Sequence, residues 1–96
     1  MAYNLKISLR AEVEALEATN YYDEISNDLG DRFLVELSIV CRKIETNPEY
    51  YSYISSNPID NFRDIKMKSF PFVVIFEICG QDVMVTSVMN TSREPL

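Results

Sequence analysis

Residues 70–89 read FPFVVIFEICGQDVMVTSVM, two apolar runs set on either side of Cys79-Gly80-Gln81. The first run, Phe70 to Ile78, holds Phe72-Val73-Val74-Ile75-Phe76 with no polar residue between them, so both of its faces need cover, the pattern of an interior strand. Pro71 is tolerated there because the opening residue of a strand need not donate to a ladder. The second run, Asp82 to Met89, is again of strand type, and the intervening glycine suits a hairpin turn. Upstream, Phe62 to Lys68 adds a third strand-like run. A three-stranded antiparallel meander with the 70–78 run in its centre is therefore expected.

A sheet with an apolar face needs a second layer, and the preceding residues supply one. Leu29, Phe33, Leu37, Val40 and Ile44 follow helical spacing behind a cap at Asn27 or Asp28, and Asn47-Pro48 stops the helix. Before it, Ala11, Ala15, Ala18, Tyr22 and Ile25 form a narrower stripe, ending near Ser26, on a helix that Ser8 can cap. The short connection between the two predicts an antiparallel helix hairpin. Tyr3, Leu5, Ile7 and Leu9 alternate with Asn4, Lys6 and Ser8, which predicts one further strand at the N-terminus. The reading is α+β: a strand, a helix hairpin, a polar tyrosine-rich loop from Glu49 to Asp60, then the meander, in a single domain over residues 1–96.

Composition narrows the chemistry. The 96 residues contain no histidine, which excludes Ser-His-Asp and Cys-His catalysis and removes the commonest metal ligand. Cys41 and Cys79 are far apart with no CxxC, so neither a zinc site nor a disulfide framework is expected, and two free thiols fit a reducing cytoplasm. No stretch is apolar enough for a membrane span or a signal peptide, and no cofactor is expected. The net charge of −6 disfavours strong direct binding to nucleic acid, although only charges near a site decide its affinity.

Residues 63–68 are the dense positive stretch of the chain, with Arg63, Lys66 and Lys68 against Asp64. In an extended run Lys66 and Lys68 share a face with Asp64, and Arg63 shares the other with Ile65 and Met67. A phosphate could bridge the lysines; equally, they could be a solvated strand face that deters edge pairing. Arg63 at the mouth of the core side either snorkels there or takes part in a site. Tyr50, Tyr51 and Tyr53, with no cation nearby in the sequence, read as a lid over the core or as a contact surface. Cys41 beside Arg42 reads as an inert thiol unless that cation lowers its pKa.

The order of strand, helix hairpin and meander, together with Ser8, Ala11, Glu14, Tyr21-Tyr22, Phe33, Ile44, Asn47-Pro48, Arg63, Phe70-Pro71-Phe72, Phe76 and Arg93-Glu94-Pro95, resembles the RelE/ParE superfamily of toxins. The resemblance implies the toxin half of a bacterial type II toxin-antitoxin system, of the kind linked to plasmid stabilisation. Its cognate antitoxin would lay a helix and an extended segment across groove and sheet. It implies two alternative actions. ParE-like members poison DNA gyrase by binding, whereas RelE-like members cleave messenger RNA on the ribosome with clustered lysines and arginines.

The chain departs from both patterns, because Asn90 stands where the tail motif often has histidine and no aromatic follows it. RNA cleavage needs a base, an acid and cations around the phosphate. The reading is therefore a toxin acting by protein binding, ParE-like, through Arg63, Lys66, Lys68, Arg93, Tyr50, Tyr51 and Tyr53. Its alternatives are an endoribonuclease in which Lys66, Lys68, Arg63 and Arg93 gather round the scissile phosphate, or a degenerate, non-toxic member of the fold.

Overall fold

A computed structural model describes residues 3–54 and 61–92. The elements run β1 (Asn4–Ile7), α1 (Leu9–Ile25), α2 (Leu29–Thr46), a single 3-10 turn (Pro48–Tyr50), β2 (Phe62–Lys66), β3 (Phe72–Cys79) and β4 (Asp82–Asn90). This is the β-α-α-β-β-β order read from the sequence. The strands form one sheet in the order β1-β4-β3-β2, in which β2, β3 and β4 make the antiparallel meander and β1 joins β4 in parallel.

Local chemistry sets the boundaries. Ser8 caps α1, its hydroxyl oxygen accepting the Ala11 amide at 3.1 Å, and the same hydroxyl donates to the Thr86 carbonyl of β4 at 3.1 Å. Asp28 occupies the position before α2 but makes no side-chain cap; its backbone is already helical and its carboxylate pairs with Arg32 at 3.1 Å. The expected cap is thus replaced by an i,i+4 ion pair. Thr19 and Asp23 of α1 crowd Gly30 of α2, where an added Cβ would lie 3.0 Å from the Thr19 carbonyl oxygen, so the hairpin is tightest near its turn. Gly80, at φ 63°, provides the left-handed residue of the β3–β4 hairpin.

Two strand boundaries differ from the sequence reading. β2 stops at Lys66 rather than Lys68, and β3 starts at Phe72 rather than Phe70. Between them the chain turns: the Phe72 amide donates to the Phe70 carbonyl, the Met67 amide to the Phe72 carbonyl, and the Ser69 amide to Glu36 of α2. Pro71, lacking an amide proton, cannot extend the ladder, but its carbonyl accepts the Thr91 amide at 2.7 Å.

The core lies between the helix hairpin and one face of the sheet. Phe33 and Ile44 of α2, Val74 and Phe76 of β3, and Val83 and Val85 of β4 are almost fully buried. Ala11 and Ala18 let α1 approach closely. Tyr22, Phe33, Phe70 and Phe72 cluster with ring centroids 4.8 to 6.2 Å apart, edge to face except for the tilted Tyr22–Phe33 pair, and such aromatic contacts add about 0.5–1.5 kcal/mol per pair to their burial. Ile25, the last member of the expected α1 stripe, is exposed instead. Opposite Ile75 and Phe76 of β3, β4 carries one extra residue, Thr86, a β-bulge. Val83 and Val85 before it and Val88 after it all face the core.

Candidate functional site

The face of the sheet away from the helices is the first candidate. Alternation along β2 puts Phe62, Asp64 and Lys66 there, opposite Glu77, Ile75 and Val73 of β3 in register. Met89 of β4 lies beside Val73 on the same row. Val73 is buried although it stands outside the core cluster. Ile54 comes over this face from the loop, its amide bonded to the Phe62 carbonyl at 2.9 Å, and an open cleft of about 350 Å³ is lined by Arg10, Ile54, Phe62, Ile75, Thr86 and Met89. The floor is apolar, with Lys66 and Asp64 side by side at one margin and the Lys6–Asp82 ion pair, at 3.3 Å, on the strands at the other side.

Arg63 lies on the opposite face of β2 from Lys66 and is already committed. Its Nη1 donates to the carbonyls of Glu49 at 3.1 Å and Tyr51 at 2.8 Å, and its Nη2 donates to the Tyr53 hydroxyl at 2.8 Å. The guanidinium carbon stands 4.1 Å from the centroid of the Tyr53 ring, a cation–π contact. An isolated bridge between Tyr53 and Arg63 lays this loop along the outer edge of β2. Arg63 therefore clamps the tyrosine loop, and the reading that the tyrosines have no cation nearby is corrected. The gathering of Arg63 with Lys66 and Lys68 is not what the fold produces: period two separates Arg63 from Lys66, and Lys68 is off the strand.

Tyr51 turns inward against Phe76, while Tyr50 is exposed. Burial pushes the Tyr51 phenol above its usual pKa, with its neighbour Tyr50 adding to the effect. Tyr50 and Tyr51 share a second open cleft, of about 430 Å³, with Ile39, Arg42 and Lys43 of α2. In the sequence Arg42 draws notice only as a neighbour of Cys41, and Lys43 draws none. The signal available was the Asn47-Pro48 stop, which folds the tyrosines back over the last turn of α2.

A third cleft, of about 370 Å³, lies where β4 outruns β1, between Glu14, Glu17 and Tyr21 of α1 and Phe72, Val88 and Asn90. Glu14 accepts the Ser87 hydroxyl and the Val88 amide through one oxygen, and Arg10 pairs with the other at 3.5 Å. Asn90 spends its side-chain oxygen on the Ser92 amide and hydroxyl, at 2.8 and 2.7 Å. Arg93, and with it the tail motif, lies outside the described residues. Among the described residues no helix is long and apolar enough to cross a membrane, and no group of three or more His, Cys, Asp or Glu could hold a metal ion.

No protein-family model matches the sequence, and no curated protein matches it at a significant level. A solved chain from the chromosomal ParDE TA (toxin-antitoxin) system of P. aeruginosa superposes with a TM-score of 0.81 at 12% identity, over 95% of this chain and 98% of that one. The likeness shows that this chain shares the fold of that chain.

Proposed function

We propose that this chain is the toxin of a type II toxin-antitoxin pair, ParE-like in acting by protein binding on a gyrase-type target and held inactive in the cytoplasm by a cognate antitoxin. The observation that carries the proposal is the full-length fold likeness to a chain of the ParDE system, joined to an open sheet face whose floor is apolar. Such a floor suits a protein surface, whereas a polynucleotide is gripped by clustered cations around its phosphates. Of the candidate cations, Arg63 is engaged by loop carbonyls and Lys66 stands next to Asp64, which speaks against hydrolysis of RNA. Lys66, Lys68, Arg93 and the exposed Tyr50 remain the residues proposed to meet partner or target.

The test has two arms after induced expression with and without a co-expressed cognate antitoxin. Growth arrest relieved by that partner, with loss of supercoiling by purified gyrase on adding the chain, supports the proposal. Ribosome-dependent, codon-positioned cuts in messenger RNA that vanish in Lys66→Ala would replace it with the endoribonuclease reading.

A further inference from the structure

Helix α1 carries two apolar stripes on opposite sides. Ala11, Ala15, Ala18 and Tyr22 face the core, whereas Leu9, Val13 and Leu16 face away from it and stand 76%, 47% and 60% exposed. Three large aliphatic side chains in one line on a solvated helix differ from a scattered surface leucine, which needs no explanation. Ile7 and Leu34, also partly exposed, extend the patch: with Leu16 they line one apolar cleft of about 280 Å³ between the helices.

With Asn20 added, residues 9, 13, 16 and 20 are spaced four, three and four apart, which is the d-a-d-a order of a heptad. In that register Arg10 and Glu17 occupy e positions, and Glu12 and Thr19 occupy g. When two such helices meet antiparallel about a two-fold axis, a packs against d, e against e and g against g. Val13 then meets Leu16 of the second copy, Leu9 meets Asn20, and Arg10 meets Glu17, each contact occurring twice. Thr19, the other g residue, is buried against α2, so Glu12 meets no like charge across the seam. A parallel pairing would instead set Glu12 of one copy against Glu17 of the other. The flanking charges thus select one orientation of one partner.

The geometry points to a second copy of this chain as the occupant of the stripe, in an antiparallel α1–α1 dimer. The seam is only about three turns long and each copy carries a net charge of −6, so the expected association is weak and reversible. The proposal stands apart from the toxin assignment and can fail without it.

Sedimentation velocity on the purified full chain, over a concentration series at moderate salt, is the test. The expected result is a reversible monomer–dimer equilibrium. Arg10→Glu and Glu17→Arg should each weaken it by about tenfold, because each change replaces two attractive pairs by two repulsive ones. The doubly exchanged chain, Arg10→Glu with Glu17→Arg, should recover wild-type affinity, and circular dichroism confirms that all three variants fold. A chain that is monomeric at every soluble concentration, a dimer indifferent to both single reversals, or a stripe covered only by a different protein such as an antitoxin helix would each overturn the proposal.

Discussion

Glu14 of α1 and Val88 of β4 meet across 74 positions of sequence, the Glu14 Oε1 accepting the Val88 amide at 2.9 Å. β1 ends at Ile7, so the outer side of β4 beyond Val85 has no strand to pair with. A side chain from the helix closes that edge instead, and the same oxygen takes the Ser87 hydroxyl at 2.8 Å.

Removing this carboxylate leaves an inward-facing amide without a partner. Glu14→Ala is expected to cost about 1–3 kcal/mol, the usual penalty for an unsatisfied buried donor, and Glu14→Gln, which keeps an acceptor, clearly less. Urea midpoints of the two variants check the order. Equal midpoints for wild type and Glu14→Ala would show that the edge is satisfied some other way.

Arg63 holds two loop carbonyls and one hydroxyl with a planar fork, a geometry that lysine cannot copy. Arg63→Lys should lower stability by about 1–2 kcal/mol and accelerate hydrogen exchange at Tyr51 and Tyr53, while amides in β4 change little. Unchanged exchange in the loop would contradict the clamp.

Cys41 is half-buried and Cys79 is exposed at the hairpin. Burial, aided by the negative charge of Glu45, raises the Cys41 thiol above its ordinary 9.0. A thiol-specific reagent at neutral pH should therefore modify Cys79 promptly and Cys41 only slowly, with the rates converging in denaturant. The native state holds the Cys41 proton more tightly than the unfolded state. Its contribution to stability is accordingly full below pH 9 and lost as pH rises through the raised value. Cys41→Ala should flatten the first part of the alkaline fall in stability, before the tyrosines Tyr22 and Tyr51, also raised by burial, begin to contribute.

On the open face, Met89 is partly exposed at the margin of the apolar floor. Met89→Glu should change stability by no more than about 0.5 kcal/mol yet abolish target or antitoxin binding. Arg93→Ala should likewise weaken toxicity at equal expression. Binding that survives Met89→Glu in a pull-down would move the contact surface elsewhere.

The helices and meander were legible because Phe33, Val40 and Ile44 repeat at helical spacing and Phe72 to Phe76 form an unbroken apolar run. Boundaries were less so. Lys68 looked like a strand residue because alternation continues past Lys66, and only the turn that Pro71 enforces ends it. Asp28 looked like a cap, but local pairing with Arg32 took its carboxylate. Within the site, the separation of Arg63 from Lys66 followed from period two. The partners of Arg63 did not, since backbone carbonyls of a returning loop leave no mark in side-chain patterns. The pairing of β1 beside β4 was invisible for the same reason: it joins residues about eighty positions apart through backbone groups alone.

The extra residue at Thr86 acts as a phase shifter. Every side chain of β4 downstream of it points the opposite way from what simple alternation counted from Val83 would give. Were Thr86 accommodated in a regular ladder without the bulge, Val88 would turn toward solvent and Met89 toward the aromatic cluster; deleting Thr86 would instead remove the bulge and keep Val88 inward. The bulge thus absorbs one residue so that Val88 stays in the core and Met89 on the open face, where an unbroken count from Val83 would exchange them.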